Sequence, residues 1–159
     1  MSALIRFHAA FSAAFPSLEC FFMIKTLLAF DYGTKNIGVA SGQMITRSAN
    51  TLPSLKAKDG IPDWVQVEKV LKEWAPDLVL VGLPLNMDDS ESELSARARK
   101  FANRLHGRFG IQVEMVDERL TSFEAKGEVM ERGGSRDYKN NPVDSIAARL
   151  ILEGWMQSN

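Results

Sequence analysis

Two short apolar runs, Leu27–Phe30 and Ile37–Ala40, lie so close together that the chain between them can only turn back. The turn formers Gly33 and Asn36 stand in the gap, so the runs predict an antiparallel hairpin. A parallel pair would need a crossover of about a dozen residues or more. Downstream, Leu78-Val79-Leu80-Val81 is a continuous apolar run, the mark of a strand covered on both faces. A hairpin followed by strand–helix units predicts an α/β fold, a mixed sheet with helices on both faces.

The remaining elements fit around this frame. A third short strand is expected over Ser48–Leu52. Trp64, Val67, Val70, Leu71 and Trp74 share one helical face, with Pro62 near its start and Pro76 forbidding continuation. Ser90-Glu91-Ser92-Glu93 reads as a capping box opening a helix that turns Leu94, Ala98, Phe101, Ala102 and Leu105 inward and stops near Gly107 and Gly110. Ile111–Val116 predicts another strand, ending at Asp117-Glu118. Thr121-Ser122-Phe123-Glu124 caps a further helix terminated by Gly133-Gly134, and Ser135–Asn141 reads as a polar loop. Asn141 and Pro142 suit the cap and first position of a last helix, with Val143, Ile146, Ala147, Leu150, Ile151 and Trp155 as its buried stripe. The order β-β-β-α-β-α-β-α-α gives a five-stranded mixed sheet.

Composition narrows the chemistry. A chain of 159 residues forms one domain with a real core. The single cysteine, Cys20, excludes an intrachain disulfide framework, and with only His8 and His106 a multi-histidine metal site or histidine triad is not expected. The charges nearly cancel, 19 Lys+Arg against 20 Asp+Glu, so no strong overall positive field exists. Residues 1–22 differ from the rest: 15 of the 22 are apolar, yet His8, Ser12 and Pro16 break the run, which makes a poor secretory signal and no membrane span. The expected division is an N-terminal extension, 1–22, read as a tail or upstream start, and a functional domain over 23–159.

Carboxylates are the remaining agents, and three stand out by position. Asp31 ends the first strand, Glu118 follows the last strand, and Asp144 lies in the first turn of the final helix. Open α/β sheets place ligand sites outside strand ends, and a helix start favours an ionised carboxylate. Each acid alone could be a cap, but Asp31, straight after an apolar strand, occupies a costly place for a charge. Converging acids would need a cation, and oxygen ligands select Mg²⁺ or Mn²⁺.

Four segments then resemble one family in the right order: Ala29-Phe30-Asp31-Tyr32-Gly33-Thr34-Lys35-Asn36-Ile37-Gly38-Val39-Ala40, Val81-Gly82-Leu83-Pro84-Leu85-Asn86-Met87-Asp88, Val116-Asp117-Glu118-Arg119-Leu120-Thr121-Ser122 and Val143-Asp144-Ser145-Ile146-Ala147-Ala148. The chain over Met23 to about Trp155 is similar to the YqgF, or RuvX, proteins. The resemblance implies a ribonuclease H-like fold and a two-metal nuclease, with Asp31, Glu118 and Asp144 as catalytic metal ligands and Asp117 as the fallback for its neighbour. It implies processing of the 5′ end of pre-16S rRNA in the cytoplasm, with structured RNA or a ribosomal particle as partner, no membrane, and a monomer or homodimer. Gly33, Lys35, Asn86, Arg119 and Lys139 are the expected nucleic-acid contacts. Where the family often reads Met-Asp-Gly, this chain has Met87-Asp88-Asp89. Arg97, Arg99, Lys100, Arg104 and Arg108 crowd one helix, a pattern that is usually a solvated face.

Two other readings stand beside this one. A four-way DNA junction resolvase would need a dimer to cut two strands symmetrically, and a non-catalytic RNA- or ribosome-binding module would not need the acids. A sugar-kinase-type ATPase, suggested by Asp31-Tyr32-Gly33-Thr34, is excluded because it would need two such lobes.

Overall fold

Side chains alternate along a strand, and in β1 (Thr26–Asp31) that alternation separates two cores. The computed structural model describes residues 24–84, 88, 90–117 and 143–159, with side chains from 145 onward in the last stretch. After β1 come β2 (Asn36–Gln43), β3 (Ser48–Lys58), β4 (Ile61–Pro62), α1 (Trp64–Trp74), β5 (Leu78–Leu83), α2 (Glu93–Phe109), β6 (Val113–Asp117) and α3 (Val143–Ser158). The sheet order is β4-β3-β2-β1-β5-β6. β1 is antiparallel to β2 and parallel to β5, so the sheet is mixed, as the spacing of the apolar runs requires.

Leu28, Phe30, Val79 and Val81 face α1 and α2, whose Val67, Leu71, Ala98, Phe101 and Leu105 complete that core. Leu27, Ala29, Leu78 and Leu80 face α3 through Ala148, Ile151, Leu152 and Met156. At the other end of the chain order, the Asp77 carboxylate accepts hydrogen bonds from Lys25 N (2.9 Å) and Thr26 N (3.0 Å), which fixes the start of β1 beside β5.

Several boundaries differ from the sequence reading. The third strand runs to Lys58 rather than Leu52, and the two-residue β4 adds a sixth strand by pairing with its end. Pro53 does not stop β3, because the register slips there. Ile37 opposes Leu55 but Val39 opposes Leu52, so two β3 residues face Gly38 alone. Such a bulge relieves proline of the N–H it cannot supply. α2 is capped two residues later than expected: the Ser92 hydroxyl accepts from Ser95 N and the Ser95 hydroxyl accepts from Ser92 N, both at 3.2 Å. Ser90 is engaged elsewhere, its N–H donating to Asp88 Oδ1 at 3.0 Å. α2 passes through Gly107 and ends at Gly110, whose φ of 67° is the left-handed cap. β6 starts at Val113, not Ile111. The helix and loop expected over 121–141 lie outside the described residues.

The stripe expected on α3 is too narrow. Ile146, Ala147 and Leu150 form a separate cluster, while the sheet-facing side is Ser145, Ala148, Ile151, Leu152 and Met156. Of these only Ile151 was in the expected set, since a helix buried on two sides hides its sheet face from a one-stripe reading.

Ser145 is the polar member of that face and is fully buried. Its hydroxyl accepts from Val39 N (3.3 Å) and donates to Leu52 O (2.8 Å). Val39 and Leu52 are opposed residues beside the bulge. The hydroxyl therefore stands between a main-chain donor and acceptor that face each other across the slipped ladder. Further along α3, Leu152 and Met156 pack on Gly42. Because Val39 pairs with Phe30 and Gly42 with Leu27, α3 runs against β1 and sets its first turn at the Asp31 end.

Replacing Ser145 with alanine should orphan both main-chain groups, at about 1–3 kcal/mol for each left unsatisfied. Urea unfolding should show Ser145→Ala destabilised by about 2 kcal/mol or more, while Ser158→Ala, which removes an exposed hydroxyl bond to Gly154 O, changes little.

Candidate active site

Asp31 is the last residue of β1, 8% exposed, and follows an unbroken apolar strand. By alternation it shares α3's face with Leu27 and Ala29, at the end where the Ser145 tie places the first turn of that helix. Asp144 belongs to this first turn, and its side chain lies outside the described residues. Strand and helix thus bring the Asp31 carboxylate and the chain segment of Asp144 to one edge of the sheet, on one face. Glu118, Asn86, Arg119 and Lys139 lie outside the described residues.

β6 bears on the choice between Asp117 and its neighbour. Val113 and Met115 pack towards α1 and α2, whereas Val116 packs towards α3 and Glu114 accepts from Trp155 Nε1 of α3 at 3.3 Å. Asp117 is opposed to Leu83, two positions along from Val81, and so projects on the face opposite Asp31. Among the described residues no group of three or more acids, histidines or cysteines is close enough to hold a metal.

The two described nucleic-acid candidates sit in the β1–β2 turn. A Cβ on Gly33 would come within 2.4 Å of Asn36 O, so the turn closes only on glycine. Lys35 is exposed, and its carbonyl accepts from Ala57 N at 2.8 Å; the Thr34 carbonyl accepts from Gly60 N at 2.9 Å. The turn beside Asp31 is thereby strapped to β3 and the β3–β4 turn, and presents the Lys35 ammonium to solvent.

Two residues that sequence reasoning missed shape this edge. Ser145 anchors α3, and its signal was its place beside Asp144 in an otherwise apolar segment. Tyr32, next after Asp31, turns to the opposite face and packs on Phe101, ring centroids 5.5 Å apart. Its hydroxyl donates to Gly60 O at 2.8 Å. Burial pushes the phenol above its usual pKa of 10.0, against a smaller downward pull from Arg97.

The mixed sheet, with helices on both faces and an acid at the end of its central hairpin strand, is a ribonuclease H-like fold. Solved structures of that kind are similar. A Thermus thermophilus RuvC bound to a Holliday junction substrate gives a TM-score of 0.54 at 16% identity, over 84% of this chain and 94% of that one. A fowlpox virus resolvase with Holliday junction DNA gives 0.51 at 18%, over 84% and 97%. The profile of the RuvX family, described as Holliday junction resolvase, matches residues 25–158, and the chain belongs to that family. A Pseudomonas putida protein is 61% identical over 86% of this chain and 97% of its own length. One from Marinobacter nauticus is 64% identical over 82% and 92%. Both are named as pre-16S rRNA nucleases.

Because the neutral Tyr32 is favoured in the folded state, its contribution to stability is full below pH 10.0 and is lost as pH rises through the raised value. In a Tyr138→Phe background, ultraviolet titration should place phenolate formation above 10.0, with the folded protein weakening over the same range.

Proposed function

We propose that this protein is a metal-dependent endonuclease that hydrolyses phosphodiester bonds of structured RNA, processing the 5′ end of pre-16S rRNA. The observation that carries the reading is the burial of Asp31 on α3's face at the edge where that helix begins. The naming of relatives at about 60% identity as pre-16S rRNA nucleases supports the substrate.

In this reading Asp31, Glu118 and Asp144 hold Mg²⁺ or Mn²⁺. The fit rests on the donor set: a buried carboxylate at the strand end, all-oxygen chemistry, and a helix start whose dipole favours an anion. When bound, such ions supply an activated water and stabilise the leaving oxygen. The alternation of β6 favours Glu118 over Asp117, since even-numbered positions of that strand meet α3 and Asp117 faces away. The Ser145 tie sets the first turn of α3, which carries Asp144, against the sheet beside the end of β1. Gly33 lets the turn close beside the substrate, and Lys35, with Asn86, Arg119 and Lys139, grips phosphates and orients the strand.

In the proposed function residues 23–159 form the nuclease domain and residues 1–22 an extension outside it. Among the described residues no helix is long and apolar enough to cross a membrane, and a cytoplasmic site of action follows from the rRNA substrate. A junction resolvase is the second reading, favoured by the description of the family itself.

Purified protein with Mg²⁺ or Mn²⁺ should cleave a pre-rRNA 5′-leader in preference to four-way junction DNA at matched salt. Asp31→Asn and Asp144→Asn should each reduce kcat by more than the ~10–100-fold typical of losing a group that merely supports a metal ligand. Full cleavage by Asp31→Asn would remove the metal mechanism, and preferential cutting of the junction would select the resolvase.

A further inference from the structure

The basic run on α2 is more organised than a solvated face. Arg97, Lys100 and Arg104 lie on one side of the helix, at i, i+3 and i+7, and border a cavity of about 220 Å³. Its apolar walls come from Phe101, Trp64 and Ile61, and its floor from Tyr32 and Gly60. Ile61 is 57% exposed there, so apolar surface stays open to solvent beside the cations. The volume is below the roughly 300–1,000 Å³ of drug-sized sites and suits a single nucleotide unit rather than a whole dinucleotide.

The cations divide into two kinds. Arg97 is held by Asp59 at 3.0 Å and Glu93 at 3.1 Å, and it neutralises the acid on the cavity rim. Arg108 is likewise engaged, its guanidinium 4.4 Å from the centroid of the Trp64 ring. Lys100 and Arg104 are exposed and make no ion pair among the described residues. They are available to an anion from outside.

Position says which anion. The cavity is joined to the proposed catalytic edge by the shortest possible link, since Tyr32 follows Asp31 directly and packs on the opposite face. The Gly60 N–H bond to Thr34 O holds the cavity wall and the β1–β2 turn together. A strand crossing the Asp31 edge and continuing over the turn reaches this cavity next.

We infer that the cavity between α2 and the β3–β4 turn is a subsite for one unpaired nucleotide of the RNA, its base on the apolar walls and its flanking phosphates on Lys100 and Arg104. This rests on the nuclease reading for its substrate, and it explains how a chain of net charge −1 grips RNA locally. Unpaired bases are recognised by apolar and aromatic surfaces with cations alongside.

The test is binding of a fluorescein-labelled single-stranded oligoadenylate, and of a duplex RNA of equal length, followed by anisotropy in chelator so that no cleavage intervenes. For single strands each phosphate contact contributes about 0.7 to the slope of log K against log salt, so Lys100→Ala/Arg104→Ala should flatten the slope by about 1.4. Ile61→Ser, an uncharged change at an exposed position that leaves the local charge as it is, should weaken single-strand binding about tenfold, the scale of one lost base contact. Duplex binding should change less in Ile61→Ser. Unchanged affinity and slope in both variants would overturn the subsite and leave the face to another partner, such as an acidic protein segment. Wild-type binding without leader cleavage in Mg²⁺ or Mn²⁺ would sink the nuclease reading while the subsite stood; cleavage with unaltered binding by both variants would sink the subsite alone.

Discussion

The last helix, α3, is fixed to its sheet near its first turn by a buried hydroxyl. The slip between β2 and β3 leaves Val39 N and Leu52 O facing each other across an interrupted ladder, and Ser145 Oγ stands between them. An unfilled gap there would leave two buried main-chain groups without partners, a cost large enough to select where α3 sits. Most of the remaining buried contact of the helix with the sheet is apolar, which tolerates sliding. The hydroxyl geometry does not, so it sets the register of the first turn against Asp31.

The second constraint is the pleat of β1. Asp31 and Tyr32 are neighbours in sequence and point to opposite faces, so the strand end serves two surfaces at once. One is the edge under α3 that carries Asp31. The other is the aromatic and basic cavity under α2, where Tyr32 is tied to Gly60 and packed on Phe101. The Asp31 carboxylate and the cations of α2 are thus separated by the thickness of the sheet. Local grip, rather than long-range attraction, is what such an arrangement provides.

Much of this was legible in the residues. The hairpin followed from the closeness of two apolar runs, the doubly covered strand from Leu78–Val81, and Asp31 from its place at a strand end. What was hidden depends on contacts far apart in sequence. The Ser145 bonds span 106 and 93 residues, and nothing local announces a hydroxyl meant for a bulge. The longer β3 depends on the bulge that accommodates Pro53, a feature of the pairing with β2 rather than of the local sequence. The α2 cap moved because Ser90 and Ser92 offer equivalent local chemistry, and Asp88 engages the first of them. The cations of α2 looked like a solvated face because sequence does not reveal that Ile61 and Trp64 make a wall opposite them.

In the proposed mechanism Asp31 is a ligand in a divalent-metal site assembled where α3 begins. Electron paramagnetic resonance of Mn²⁺ titrated into the protein reads this without any substrate. The wild type should bind Mn²⁺, and Asp31→Asn should weaken that binding by more than the ~10–100-fold seen when only a ligand's supporting partner is lost. Equal Mn²⁺ affinity in the two proteins would contradict the claim.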